Sequence, residues 1–168
     1  MKISADSIKE LRAQSGAGVM DCRNALVEAE GNIDKAIQLL KEKCLYEVKK
    51  AESRETRQGL VEAYIHTAGR IGSMVEVNCE TDFVARTFEF KELAHNLAMQ
   101  VAASSPICIT KEELKADTEV APEVGCLLLQ PYIKDPVRTI QDIVNEVIGK
   151  TGENIRVKRF ARFELGHD

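Results

Sequence analysis

Apolar positions recur at helical spacing through the first part of the chain and then switch to every second residue, so the pattern itself divides the molecule. Ile8 and Leu11 form the apolar strip of a first helix. Ser15-Gly16-Ala17-Gly18 stops it, because glycine accepts the left-handed backbone that ends helices. Cys22, Ala25, Leu26 and Ala29 mark a second helix, ended by Gly31. Asn32 is placed to cap a third, with Ile33, Ala36, Ile37 and Leu40 on its inner face. Helices this short do not stand alone, so the three are expected to share one small core.

Residues 41–58 are dominated by charge and read as an exposed helical connector or linker that holds the domain boundary. This gives a helical module with its connector over 1–54 and a second domain over 55–168. Beyond the boundary, Val61, Ala63 and Ile65 alternate with Glu62, Tyr64 and His66. Ala68-Gly69-Arg70 supplies a turn, and Ile71, Val75, Val77 and Cys79 alternate with Glu76, Asn78 and Glu80. The two segments predict an antiparallel hairpin with one face buried.

A helix is expected over about 87–103, with Phe90, Leu93, Ala94, Leu97 and Val101 inward, followed by an irregular crossing at 104–123. Leu127-Leu128-Leu129 reads as a short strand closed by Pro131. Asp135-Pro136 reads as a helix start, with Val137, Ile140, Val144, Val147 and Ile148 inside. Ile155, Val157, Ala161, Phe163 and Leu165 form a closing strand, and Arg159, breaking the pattern, marks a bulge or an interface. The fold class is therefore α+β.

Composition narrows the functional classes. No apolar run is long enough to span a bilayer, and Ser4-Ala5-Asp6 interrupts a signal peptide, so the chain is expected to stay in the cytoplasm. Five cysteines without a Cys-x-x-Cys pair fit reduced thiols better than a zinc site or disulfide framework. A net charge of −4 argues against a general nucleic-acid binder.

Enzyme signatures are weak. Gly149-Lys150-Thr151 resembles the end of a phosphate loop, but Val144 stands where its first glycine belongs, and the triplet follows a helix. Gly16-Ala17-Gly18 lies between helices and makes a corner, not a dinucleotide fingerprint. His66, His95 and His167 have no metal-ligand spacing, so no metal or cofactor is expected. Glu76, Glu80 and Asp82 are the only candidates for acid–base work, and they lack a partnering nucleophile.

Thr81-Asp82-Phe83-Val84 sits between a strand and a helix. Thr81 or Asp82 is suited to capping the helix, and Phe83 to the core, where large aromatics usually lie. A phenylalanine on such a corner, flanked by Asp82 and Arg86, can also project as a wedge. The residue types leave both readings open.

Four separated segments carry a family likeness. Leu11-Arg12 with Ser15-Gly16-Ala17-Gly18-Val19-Met20-Asp21-Cys22, and Glu76-Val77-Asn78-Cys79-Glu80-Thr81-Asp82-Phe83-Val84-Ala85, are two of them. Gln130-Pro131-Tyr132-Ile133-Lys134-Asp135 is the third, and Gly152-Glu153-Asn154-Ile155 with the closing Arg162-Phe163-Glu164-Leu165-Gly166 the fourth. In this order they resemble elongation factor Ts. The resemblance implies a UBA-like three-helix module and a core with a three-stranded antiparallel sheet. It also implies a non-enzymatic exchange factor that binds the GDP form of elongation factor Tu.

In such a factor Asp82 and Phe83, framed by Thr81 and Val84, would displace the elements holding magnesium and phosphate. Lys9, Arg12, Val19 and Met20 would dock the amino-terminal module on the G domain. Ser15, Asn24 and Val19 replace a usual threonine, lysine and methionine. The short 104–123 crossing leaves room for one core subdomain, for which a homodimer in a two-plus-two complex is the expected remedy, with the closing strand as interface.

Overall fold

The structure is a computed structural model that describes residues 3–115 and 117–166. Met1, Lys2, Ala116, His167 and Asp168, among them one of the three histidines considered above, lie outside the described residues. Contacts group the chain into two compact units, residues 1–53 with 148–152 and residues 54–147 with 153–168.

In the first unit, helix α1 spans Ala5–Ser15, α2 Val19–Glu28 and α3 Ile33–Ala51. Ser4 caps α1 by accepting from the Ser7 amide at 3.0 Å, and Gly16, at φ 66°, ends it. The Asn32 side chain accepts from the Lys35 amide at 3.0 Å to start α3. Leu11, Cys22, Ala25, Leu26, Ala29 and Ala36 form the core, flanked by Ile8, Ile33, Ile37 and Leu40. The charged stretch after Leu40 continues α3 without a break as far as Ala51. Its alternating lysines and glutamates are good helix formers, and the propagation of a helix already nucleated costs little.

The second unit is built on a three-stranded antiparallel sheet in the order β1 (Gln58–Ile65), β2 (Ile71–Cys79), β5 (Arg156–Glu164). Central β2 turns Ser73, Val75, Val77 and Cys79 inward. Onto them packs α5 (Phe88–Ser104), through Phe90, Leu93, Ala94, Leu97 and Val101. Ser73 Oγ donates to the Ala98 carbonyl at 2.6 Å, fixing helix against strand. At Gly59, with φ 145°, an added Cβ would lie 2.1 Å from the Val77 carbonyl oxygen, so β1 approaches β2 there as only glycine allows.

Three sequence expectations are corrected. Val61, Ala63 and Ile65 are exposed, while Leu60, Glu62 and Tyr64 share the α5 side with Val77, Val75 and Ser73. Strand β1 alternates as expected, but its apolar set lies on the open face. Second, Asp135-Pro136 opens strand β4 (Asp135–Thr139), which pairs with β3 (Pro131–Tyr132), and Val137 is 93% exposed. Helix α7 begins only at Ile140 and ends at Thr151. There Thr139 and Asp142 cap reciprocally: the Thr139 amide donates to Asp142 at 2.8 Å and the Asp142 amide to Thr139 Oγ1 at 3.2 Å. This capping box outcompetes the weaker start at proline. Ile140, Val144, Val147 and Ile148 are buried as expected.

Third, Leu127–Leu129 is a 3-10 turn and not a strand. The Leu127 and Leu128 amides donate to the Cys108 and Ile109 carbonyls at 2.9 and 3.1 Å, but the chain curls at once to bond Gln130 back to Cys126. The crossing also contains the short helix α6 (Pro122–Gly125) and is fastened by buried glutamines. Gln100 Nε2 donates to Gln130 Oε1 at 3.2 Å and Gln130 Nε2 to the Val124 carbonyl at 2.6 Å.

The bulge foreseen near Arg159 falls on Lys158. Glu76 pairs with Arg159 but its neighbour Val77 with Val157, which leaves Lys158 as the extra residue. An extra residue reverses strand parity. Val157 and Phe160 therefore face α5, while Ala161 and Phe163 join the open face, where Val61, Ile65 and Met74 also lie exposed.

Candidate functional site

Strand β2 ends at Cys79, and three residues later the four-residue helix α4 (Asp82–Ala85) begins. Thr81 has extended backbone and caps α4, its Oγ1 accepting from the Val84 amide at 3.3 Å. Thr87 then caps α5, accepting from the Phe90 amide at 3.3 Å while its hydroxyl donates to the Val84 carbonyl at 2.8 Å. Two threonine caps six residues apart thus force a tight double corner.

Within that corner the side chains part. Val84 and Ala85 are buried and anchor α4 in the core. Phe83 points the other way and is 76% exposed. A phenylalanine left in water forgoes about 1.5–3 kcal/mol of burial, and nothing in its own unit covers it. Asp82, at the start of α4, and Arg86, just past its end, form an exposed ion pair at 2.8 Å. The capping role suits Thr81, whereas the core role does not apply to Phe83.

The corner is held from the far end of the sequence. Glu153, just after α7, aims its carboxylate at the turn. Its Oε2 accepts from the Glu80 and Thr81 amides at 3.2 and 3.0 Å, and Oε1 accepts from Thr81 Oγ1 at 2.6 Å. Glu80 answers by accepting from the Asn154 amide at 2.5 Å and pairing with Arg54 at 3.2 Å. Asn154 Nδ2 donates in turn to the Arg54 carbonyl at 2.7 Å. Beneath them the Cys79 thiol donates to the Thr81 carbonyl at 3.1 Å. Burial, reinforced by the Glu153 charge, pushes that thiol up to about 11.

Sequence reasoning gave Glu153, Asn154 and Arg54 no role. Their separation from Thr81 erases any local spacing, and the only trace was that Gly152-Glu153-Asn154-Ile155 belonged to the family likeness.

The acid–base candidates do not converge. Glu76 pairs with Arg159 at 2.6 Å, Glu80 with Arg54, and Asp82 with Arg86. Each carboxylate is occupied by a different cation. Among the described residues no group of three or more His, Cys, Asp or Glu is placed to hold a metal ion. His95 meets Glu62 at 3.1 Å and His66 meets Tyr64 at 3.2 Å, both at the surface. No described helix is long and apolar enough to cross a membrane.

In the first unit Lys9 and Arg12 lie exposed one turn apart on α1, with Lys9 3.8 Å from Asp6. Val19 and Met20 are exposed at the first two positions of α2, whose cap, Gly18, offers no side chain.

Comparison with known proteins adds to this geometry. Residues 3–124 match the family model described as elongation factor TS. Proteins named elongation factor Ts are similar along nearly their whole length. That of Caldanaerobacter subterraneus subsp. tengcongensis is 46% identical, covering 98% of this chain and 97% of its own. That of Desulfosudis oleivorans is 46% identical over 98% of both chains, and that of Thermotoga neapolitana 44% over the full length of both. The first alignment runs over 194 positions against 168 residues here, so at least 26 positions of it have no counterpart in this chain.

Proposed function

The chain belongs to the elongation factor Ts family, and from that premise we propose that it is a guanine-nucleotide exchange factor for elongation factor Tu. It acts in the cytoplasm, makes and breaks no covalent bond, and uses neither nucleic acid nor membrane as a direct partner. The observation that carries this reading is Phe83, exposed on a corner that is fixed on every other side.

GDP is held in a GTPase by backbone donors around its phosphates and by a magnesium ion. Phe83 and Asp82 enter a groove of the partner's G domain and part the elements that hold the magnesium and the β-phosphate. Thr81 and Val84 serve this step from behind, Thr81 as the cap that sets the direction of α4 and Val84 as its anchor in the core. Lys9 and Arg12 orient the amino-terminal module on the same domain, and Val19 and Met20 supply the apolar contact. Factor and GDP each weaken the other's hold on the GTPase, and the effect is reciprocal by linkage.

We propose further that the exchange-competent form is a homodimer in a two-plus-two complex. The open sheet face supports this, since Val61, Ile65, Met74, Ala161 and Phe163 lie exposed together across three paired strands. A second copy laid on that face buries them as two sheets do in a sandwich. Sedimentation of the free protein and of its complex tests the assembly: a dimer and a two-plus-two complex are expected. Monomeric mass in both removes it while leaving the exchange activity to its own assay.

A further inference from the structure

We infer that Glu153 is a positioning residue for exchange, a carboxylate brace that keeps the Phe83 corner in its projecting form before the partner arrives. The inference rests on the exchange reading and goes beyond it by naming what holds the wedge.

Helix α4 is only four residues long, far below what holds together without outside support. Its first turn needs partners for its amides and a fixed direction for the incoming strand. Thr81 Oγ1 satisfies the Val84 amide, but a hydroxyl on a free rotor can turn away. Glu153 removes that freedom by accepting the Thr81 hydroxyl proton at 2.6 Å, which turns the oxygen lone pairs toward α4. The same carboxylate takes the two preceding backbone amides, so three donors converge on one charged group. Bonds to an ionised acceptor are about twice as strong as neutral ones.

The brace is itself braced. The Asn154 amide donates to Glu80, and the Asn154 side chain ties down Arg54, which pairs with that same glutamate. Residues 153 and 154 thus grip residues 80 and 81 from both sides of the turn. Asn154 is buried, so this support cannot swing with solvent. The wedge therefore arrives preformed, and the ordering cost of a mobile corner is not charged against binding. Arg86, which pairs with Asp82 on the exposed side, orients the flank of the corner but does not reach its backbone.

The test measures GDP release from the cognate elongation factor Tu at rising concentrations of wild type, Glu153→Gln, Glu153→Asp and Glu153→Ala. Hydrogen exchange of the Glu80 and Thr81 amides is followed in parallel. Glu153→Ala is expected to lower the maximal rate by about ten- to a hundredfold, the usual cost of displacing a working group by about 1 Å. The concentration for half-maximal effect should move far less, because the amino-terminal docking residues are untouched. Glu153→Gln keeps the reach but loses the charge and turns one acceptor oxygen into a donor, so its rate should fall between wild type and alanine, whereas Glu153→Asp keeps the charge, loses the reach and behaves like alanine.

Adding Glu153→Ala to Phe83→Ala should cost nothing further, since the brace acts only through the wedge. The two amides should exchange faster in the alanine variant while those of α5 stay protected, which separates a loosened corner from general unfolding. Wild type that leaves GDP release unchanged overturns the exchange reading, and the role of Glu153 with it. Active wild type beside a fully active Glu153→Ala, or losses that add in the double variant, overturns this inference alone.

Discussion

Three phenylalanines of the second unit are exposed to a similar degree, Phe83 at 76%, Phe88 at 73% and Phe163 at 69%, and the surroundings of the first and the last differ in kind. Phe83 projects from a four-residue helix fixed by Thr81, Val84 and Glu153. Phe163 is one of several apolar side chains on a flat face shared by three strands. An aromatic on a rigid corner suits insertion, where direction matters. A spread of apolar side chains on a sheet suits coverage, where area matters. Exposure alone therefore does not distinguish the two tasks; the support behind each side chain does.

The sharpest way to break the comparison is Phe83→Ala. At saturating factor the rate of GDP release should fall by about a hundredfold, in the range of a truncated hot spot. The melting temperature should stay put, because exposed substitutions usually change stability by less than about 0.5 kcal/mol. A large loss of stability would show that Phe83 is a packing residue after all. Phe163→Asp should act in the opposite way, turning a dimer into a monomer in sedimentation. It should slow release by about tenfold, the effect of losing an effective second site, while half-maximal binding of the amino-terminal module changes little.

Thr81→Ala probes the support directly. Loss of the cap and of the bond to Glu153 should lower stability by about 1 kcal/mol, measured by urea unfolding, and the exchange rate should fall with it. Thr87→Ala removes a similar cap on α5 and also frees the Val84 carbonyl, so it should match the stability loss and lower the rate by less than Thr81→Ala does.

The smallest effect is on pH. Burial raises the Cys79 and Cys108 thiols from 9.0 to about 11, with Glu153 adding to the first and the neighbouring Cys126 to the second. The folded protein thus holds these protons where the unfolded chain has released them. That contribution is complete below pH 9 and is lost as pH rises toward about 11. Urea midpoints should fall over that window, and less so in Cys108→Ala measured against its own neutral-pH value.

The same contrast explains what was legible in the sequence. The three amino-terminal helices were legible because local signals divide them: Gly16 after α1, Gly31 after α2 and the Asn32 cap before α3. Strands β1, β2 and β5 were legible from alternation, and the buried face of β2 with them, but the faces of β1 and β5 were not. Burial of the Val75 and Val77 face is decided by α5, and a single extra residue at Lys158 reverses the parity of β5. Asp135-Pro136 misled because a helix start was judged from two residues, while the competing box at Thr139 and Asp142 lay a few positions on. The Thr81–Val84 corner was found by its motif. Its brace was not, since Glu153 stands 72 residues from Thr81 along the chain.

The central claim is that Phe83 on its braced corner opens the nucleotide site of elongation factor Tu. Stopped-flow release of a fluorescent GDP from the cognate elongation factor Tu, with catalytic amounts of this protein, tests it most directly. The account predicts rapid release that depends on the concentration of factor with wild type, and near-basal release with Phe83→Ala. Wild type and Phe83→Ala giving the same accelerated trace would contradict the wedge, and a wild-type trace at the basal rate would contradict the function itself.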